Sequence, residues 1–472
     1  MKFRIKWLLC IATVLFSCSC NKSEMPTNVD SVEVGTSLAS DENEKKDITI
    51  VMAYRGATLY RANGEDLVDT FNREDNGYKI ELRNYGSDYD PYHNPDNEWT
   101  NGDQQLCLDI MNGEIDIITN DFRDKAKFHS LAEKGAFSDL YAFIDNDPEF
   151  DRSDFIEHVL DVSAIDNKLF FLPLSFKLKT LIGKTKYVGE KENWTLDELK
   201  EHWEKMPDGY TFNGSIARNN VYYTILRGSL SSFIDFDKGT CNFDSDEFVD
   251  ILEFINTFEP TSRVKPDNMD YEHIFVTDIY ITGFQSFHNL LIEHGNDSTT
   301  FVGYPSQNGN GTFIDSSEQQ IAVSALSSKE KQQGAWEFVK LLASHDNQVT
   351  MMYPESYTEN GTKYSFGDVD HCFPINKNVF EELANEQLKK QNENNFINTS
   401  VDSVDYGYLN DGEYSILLKL IDSANGEITV IDEDIKEIIE EELLAMFAEE
   451  ITPKEAADFI QSRVAIMISE RN

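Results

Sequence analysis

The chain is predicted to be α/β in both halves, with two lobes. Extended apolar runs alternate with helix-spaced segments at intervals of roughly 30 residues, the spacing of right-handed crossovers that lay strands side by side in a parallel sheet. Behind a polar N-terminal stretch the remaining chain of roughly 425 residues exceeds what one hydrophobic core usually supports, so a second core is expected. Capping boxes then mark helices from the middle of the chain to its end, and residues 432–470 read as mainly helix.

The first element is a leader. Lys2, Arg4 and Lys6 precede Trp7 to Phe16, a run almost without polar side chains, which is the pattern of a secretory signal. That run falls short of the roughly 20 apolar residues needed to cross a bilayer as a helix. Leu15-Phe16-Ser17-Cys18 then resembles a bacterial lipobox, in which the cysteine carries diacylglycerol and becomes the mature N-terminus. Cys20 is the second candidate, but Ser17-Cys18-Ser19 before it lacks the branched apolar residue three places upstream. Residues 1–17 are therefore expected to be signal and 18–46 a lipidated tether, polar and without an aromatic after Cys20.

Ile48 to Tyr54 is an extended apolar run, Leu59 to Phe71 has helical spacing, and Lys79 to Tyr85 alternates like a strand. Gln104 to Met111 is a further helix, leading to a strand over Ile115 to Thr119. In an open parallel sheet, ligands sit off the carboxyl ends of the strands. The residues emerging there are Tyr54 and Arg55, Tyr85, and Asn120 and Asp121. Thr195-Leu196-Asp197-Glu198, Ser327-Ser328-Lys329-Glu330 and Thr452-Pro453-Lys454-Glu455 are capping boxes, the last with proline at the first helical position. Phe248, Ile251, Leu252, Ile255 and Phe258 share one helical face. Trp194, Trp203 and Trp336 fall on amphipathic helices and are assigned to packing.

A formal charge of -44 disfavours nucleic acid and anionic lipid faces and provides a well-solvated surface. Cys107, Cys241 and Cys372 are widely separated and odd in number, so they read as single thiols. No GxSxG, HExxH or GxxxxGK[ST] motif occurs. His288 and His294 are too far around a helix to share a zinc ion. The acidic run Asp145 to Asp154 has Phe150 and Ile156 where a calcium loop needs glycine and glutamate, so it is taken as a capping turn. Glycoside hydrolysis needs two carboxylates about 5 to 10 Å apart, and among 85 acidic residues the sequence singles out no such pair. Neither metal nor cofactor is called for.

Five segments, Leu131 to Asp147, Asp166 to Lys184, Phe301 to Gly311, Ile321 to Leu342 and Phe373 to Phe380, resemble in order the landmarks of extracellular solute-binding proteins of the maltose-binding type, the capture subunits of ABC sugar importers. The resemblance implies a two-lobed periplasmic-binding-protein-like fold, each lobe a mainly parallel sheet flanked by helices. It places hinge crossings near Leu172 to Lys177, Gly303 to Ser306 and Phe373 to Asn376. Lobe one would comprise 46–173 and 305–372, and lobe two 174–304 and 373–472. It further implies that Ser175, Phe176 and Lys177 line the cleft, that Tyr414 at the start of a helix offers a stacking ring, and that Tyr304 is another such candidate. The family often has an acid where this chain has Phe176-Lys177.

An aromatic ring suits the apolar C–H face of a sugar, while Arg55, Asn120 and Asp121 suit its hydroxyls. With 31 Phe and 20 Tyr, most rings must nevertheless be core. The implied protein is a monomer, lipid-anchored on the outer face of a bacterial membrane, that passes a carbohydrate to the transmembrane permease of an ABC importer and catalyses nothing. Two other readings share the leader and the aromatic content. A surface glycan hydrolase would release new reducing ends; a non-catalytic adhesin would show no saturable affinity for a small solute.

Overall fold

A computed structural model describes residues 47–54, 64–85, 98–119, 125–226, 229–235, 238–260, 273–295, 298–306, 311–316, 319–352, 357–359, 362–364, 372–392, 407–426 and 433–471. The signal and tether, with Cys18 and Cys20, lie outside these residues. So do Arg55, Asn120 and Asp121.

In chain order the strands are β1 (Ile48–Tyr54), β2 (Tyr78–Asn84), β3 (Ile117–Thr119), β4 (Leu172–Pro173), β5 (Ser175–Lys184), β6 (Ile234–Asp235), β7 (Thr240–Cys241), β8 (Thr277–Ile281), β9 (Thr299–Phe301), β10 (Phe313–Asp315), β11 (Gln320–Val323), β12 (Tyr357–Glu359), β13 (Thr362–Tyr364) and β14 (Phe373–Pro374). The helices are α1 (Gly64–Arg73), α2 (Glu98–Met111), α3 (Lys125–Glu133), α4 (Leu140–Ile144), α5 (Glu157–Ser163), α6 (Thr185–Val188), α7 (Leu196–Glu204), α8 (Arg218–Leu226), α9 (Asp246–Asn256), α10 (Phe284–His294), α11 (Lys329–Ala343), α12 (His345–Met352), α13 (Lys377–Asn392), α14 (Asp411–Ser423), α15 (Glu433–Phe447) and α16 (Pro453–Arg471). Among the described residues, no helix is long and apolar enough to cross a membrane.

The first sheet has the order β2-β1-β3-β11-β4. Its centre explains why β1 reads as an unbroken apolar run: a strand covered on both faces has no side left for water. Ile50 and Met52 enter one core with Val68 and Phe71 of α1 and Phe338 of α11. Val51 and Ala53 enter another with Leu106 and Ile110 of α2 and Phe128 of α3. β1 runs parallel to β2 and β3, while β11 is antiparallel to both β3 and β4. The carboxyl ends of β1, β2, β3 and β4 therefore share one edge. Fully buried Asp116 locks this sheet to α11: its carboxylate accepts from Val51 N at 2.8 Å, Ser327 Oγ at 2.6 Å and Lys331 Nζ at 2.8 Å.

The second sheet corrects one expectation. It is built on β5, and every described pairing, with β8, β9, β10 and β14, is antiparallel rather than parallel. The reason is where the chain turns back. Helices α6 to α9 follow from the far end of β5, so β8 starts beside Ile182 and β9 beside Lys184, and each runs back along the strand that led away. A third core lies here, joining Leu181 to Phe248, Ile251, Leu252 and Ile255 of α9 and to Ile439, Leu443, Ile460 and Val464 of α15 and α16.

Two capping boxes form as expected, at Thr195/Glu198 and Thr452/Glu455. The one at Ser327 does not. Its hydroxyl is committed to Asp116, and Ser328 caps α11 instead, accepting from Lys331 N. The acidic run holds a 3-10 turn in which Asp151 and Asp154 form a capping box. Cys107, Cys241 and Cys372 are half-buried.

Candidate functional site

The chain passes between the sheets at three places, and polar side chains collect at the first two. At the first passage Pro173 ends β4 in one sheet and Ser175 opens β5 in the other. At the second, β10 pairs with β5 and β11 with β3, which puts the passage between Asp315 and Gln320, beyond the 303–306 stretch. The chain is in the second sheet again at β14, where Phe373 pairs with Phe176. The first passage and the stretch after β14 are tied together by Gln348 of α12, fully buried, whose Nε2 donates to Leu174 O at 3.0 Å while its Oε1 accepts from Ile375 N at 3.1 Å and Asn376 N at 3.3 Å.

The shared edge of the first sheet brings Tyr54 and Tyr85 together, with Tyr85 N donating to Tyr54 O at 3.0 Å. Tyr54 is half-buried against the core beside α1. The Tyr85 hydroxyl donates to Asp109 Oδ2 at 2.5 Å. Burial first, and that hydrogen bond second, push its pKa up to about 12. Thr119 ends β3 next to them, its Oγ1 donating to Ala53 O at 3.4 Å. Across the passage Ser175 Oγ donates to Gln319 Oε1 at 2.9 Å, and Gln320 Nε2 to Ser316 Oγ at 2.9 Å.

Along β5 the side chains alternate between faces. Phe176, Leu178 and Ile182 enter the core shared with the first sheet, and the Phe176 ring packs 5.3 Å from Phe373 and 6.4 Å from Phe380. Ser175, Lys177, Lys179 and Leu181 take the opposite face. Register puts Asp315 opposite Lys177, both Tyr280 and Phe313 opposite Lys179, and Asp278 opposite Leu181. Lys179 is 2 % exposed, and its Nζ donates to Tyr280 Oη at 2.7 Å, lies 4.0 Å from that ring's centroid and 3.9 Å from Asp278 Oδ1. Burying an ammonium is costly without such partners. Tyr304 is fully buried, its hydroxyl donating to Asp278 Oδ1 at 2.7 Å and its ring 5.9 Å from Phe313.

Of the sequence-derived residues, then, Ser175 and Lys177 fall at the passage into the second sheet, and Tyr54 and Tyr85 on the carboxyl edge of the first. Phe176, Tyr304 and Tyr85 are packed rings, the last in the core beneath α2 and α3. Tyr414 lies on the first turn of α14, half-buried, and burial raises its pKa. Beside it Glu413 is buried against His288, with Oε2 at 2.8 Å from Nδ1. Sequence reasoning passed over Lys179, Asp278, Tyr280, Gln319 and Gln348. A signal was present in Leu178-Lys179-Thr180-Leu181-Ile182, where a lysine interrupts an otherwise apolar buried strand.

Three cores, and a chain that threads between two sheets more than once with polar groups at the crossings, describe a two-lobed solute binder. The sequence agrees with that class: a profile of the bacterial extracellular solute-binding protein family matches residues 66–358, and the chain belongs to that family. No curated protein matches it in sequence. Solved structures with a similar fold include a periplasmic oligogalacturonide-binding protein from Yersinia enterocolitica, at 12% identity and TM-score 0.55 over 90% of this chain and 99% of that one. The sugar-binding protein MalE from Xanthomonas citri matches at 13% and 0.54 over 90% and 98%. A cyclic alpha-maltosyl-1,6-maltose binding protein from Arthrobacter globiformis matches at 15% and 0.51 over 90% and 100%.

Proposed function

We propose that this protein captures a carbohydrate outside the cell and delivers it to the permease of an ABC importer. The observation that carries the reading is the passage of the chain from β4, on the carboxyl edge of the first sheet that also holds Tyr54 and Tyr85, into β5 with Ser175 and Lys177. The half-buried Tyr54 ring there supplies apolar area for a sugar face, and the hydroxyl, amide and ammonium groups supply selectivity. The sugar ligands named for the similar structures support the same class of solute. Arg55, Asn120 and Asp121 are assigned to the ligand from their sequence positions after β1 and β3.

In this reading the lobes are those expected from the sequence with the second boundary moved from 305 to the passage between Asp315 and Gln320, so that lobe one comprises 46–173 and 320–372 and lobe two 174–315 and 373–472. A ligand touching both lobes binds the closed form better than the open one, and that difference drives closure. The protein is a monomer without catalytic activity, and lipid on Cys18 keeps it at the outer face of the membrane through the tether 18–46.

The test is titration of residues 46–472 with a glycan panel, followed by tryptophan emission and by an assay for new reducing ends. Saturable binding with the glycan recovered intact is expected. Binding of peptides or polyamines but of no glycan would remove the carbohydrate assignment, and new reducing ends would replace capture with hydrolysis.

A further inference from the structure

We infer that Tyr280 is a second stacking subsite, lying along β5 from its junction with β4, and that the bound carbohydrate is therefore an oligosaccharide held by more than one of its rings. The inference rests on the carbohydrate reading and extends it to ligand length.

Tyr280 is 47 % exposed towards the end of β8, although its neighbours Ile279 and Ile281 are buried. Alternation explains the difference, because the two isoleucines enter the core shared with the first sheet while Tyr280 takes the face of Lys177 and Lys179. Exposure of one tyrosine is ordinary by itself. What sets this ring apart is its support. The buried Lys179 ammonium donates to its hydroxyl at 2.7 Å and lies 4.0 Å from its centroid, so part of the ring is fixed by a buried cation while nearly half the residue meets solvent. Asp278, two residues earlier on the same face, is in turn held by the hydroxyl of buried Tyr304. A platform fixed in this way loses little rotamer freedom when a ligand stacks on it.

Position then decides the length of the ligand. Lys179 is four residues beyond Ser175, which at about 3.3 Å per residue places the ring some 13 Å along the strand from the junction. A single sugar at the junction does not extend that far. A chain of several does, passing Lys177 and Asp315 on the way. Tyr280 accordingly discriminates by length: it adds affinity only once a ligand reaches it.

The experiment compares the wild type with Tyr280→Ala and Tyr280→Phe in calorimetric titrations against α-glucan and galacturonate series of one to six units. Tyr280→Ala is expected to lose about tenfold in affinity for the longer members of whichever series binds and to match the wild type on the shortest. Tyr280→Phe keeps the ring and is expected to retain most of that gain. Equal affinities of Tyr280→Ala and wild type for the longest ligand overturn the inference, as does an equal loss at every length, which marks a structural role. A loss in Tyr280→Phe as large as in Tyr280→Ala assigns the effect to the hydroxyl and also overturns stacking. If the wild type binds neither series, the carbohydrate reading itself fails, an outcome distinct from the others because it needs no variant.

Discussion

Gln348 shows how much one uncharged side chain can fix. Its amide satisfies the carbonyl of Leu174 and the amides of Ile375 and Asn376, so a single residue of α12 holds two stretches of chain that adjoin β5. All of these groups are removed from water, and an unpaired buried polar group costs roughly 1–3 kcal/mol. Replacement by alanine strands three of them and opens a small cavity. Gln348→Ala is therefore expected to destabilise the protein by roughly 3 kcal/mol, read as a lower urea midpoint. A midpoint within error of the wild type would mean that water takes over all three bonds. Nothing in the sequence pointed to this glutamine. Its partners are 174, 27 and 28 residues away, and helical spacing in His345–Met352 says only that one side of α12 is buried.

Elements governed by neighbours in sequence were legible; those governed by distant ones were not. The first sheet was readable because each of its early strands is a short apolar or alternating run separated by a helix from the next, so a parallel arrangement follows from connection length. The second was misread because direction there depends on which end of β5 the helices α6 to α9 occupy, and strand composition carries no trace of that. Caps show the same divide. Thr195 and Glu198 satisfy each other's backbone donors within four residues, whereas Ser327 was diverted by Asp116, 211 residues distant. The intact box gives a clean test. Thr195→Ala removes the acceptor for Glu198 N and is expected to cost about 1 kcal/mol with an unchanged urea m-value. Because the same stretch positions Trp194, whose Nε1 donates to Gly303 O at 2.9 Å, a loss well above about 2 kcal/mol would show that the cap also holds the 303–306 strand exit in place. The site follows the same rule: Tyr54 and Tyr85 were found from strand ends, while Tyr280 became visible only through its register with Lys179, 101 residues earlier.

At the scale of the whole molecule, the question is what a ligand adds to a protein that already folds. The two sheets have separate outer cores, yet a continuous apolar cluster runs from Ile50 and Met52 through Phe176 and Leu178 to Phe284 and Phe373 beneath the crossings. Such a base resists shear, so in the capture reading the motion left to the lobes is rotation about the short linking segments. The formal charge of -44 over the whole sequence favours the separated arrangement, since like-charged lobes repel. Closure therefore has to come from the ligand's contacts with both sides. To carry the population from 1:99 to 99:1, a ligand must prefer the closed form by about 5.5 kcal/mol. Small-angle scattering from residues 46–472 should accordingly give a smaller radius of gyration at saturating glycan than without it. Added salt, by screening the repulsion, should shift the free protein in the same direction by a smaller amount. An unchanged radius at proven saturation would mean that the solute enters a preformed pocket, and Gln348 would then be the lock of a rigid body rather than the pin of a hinge.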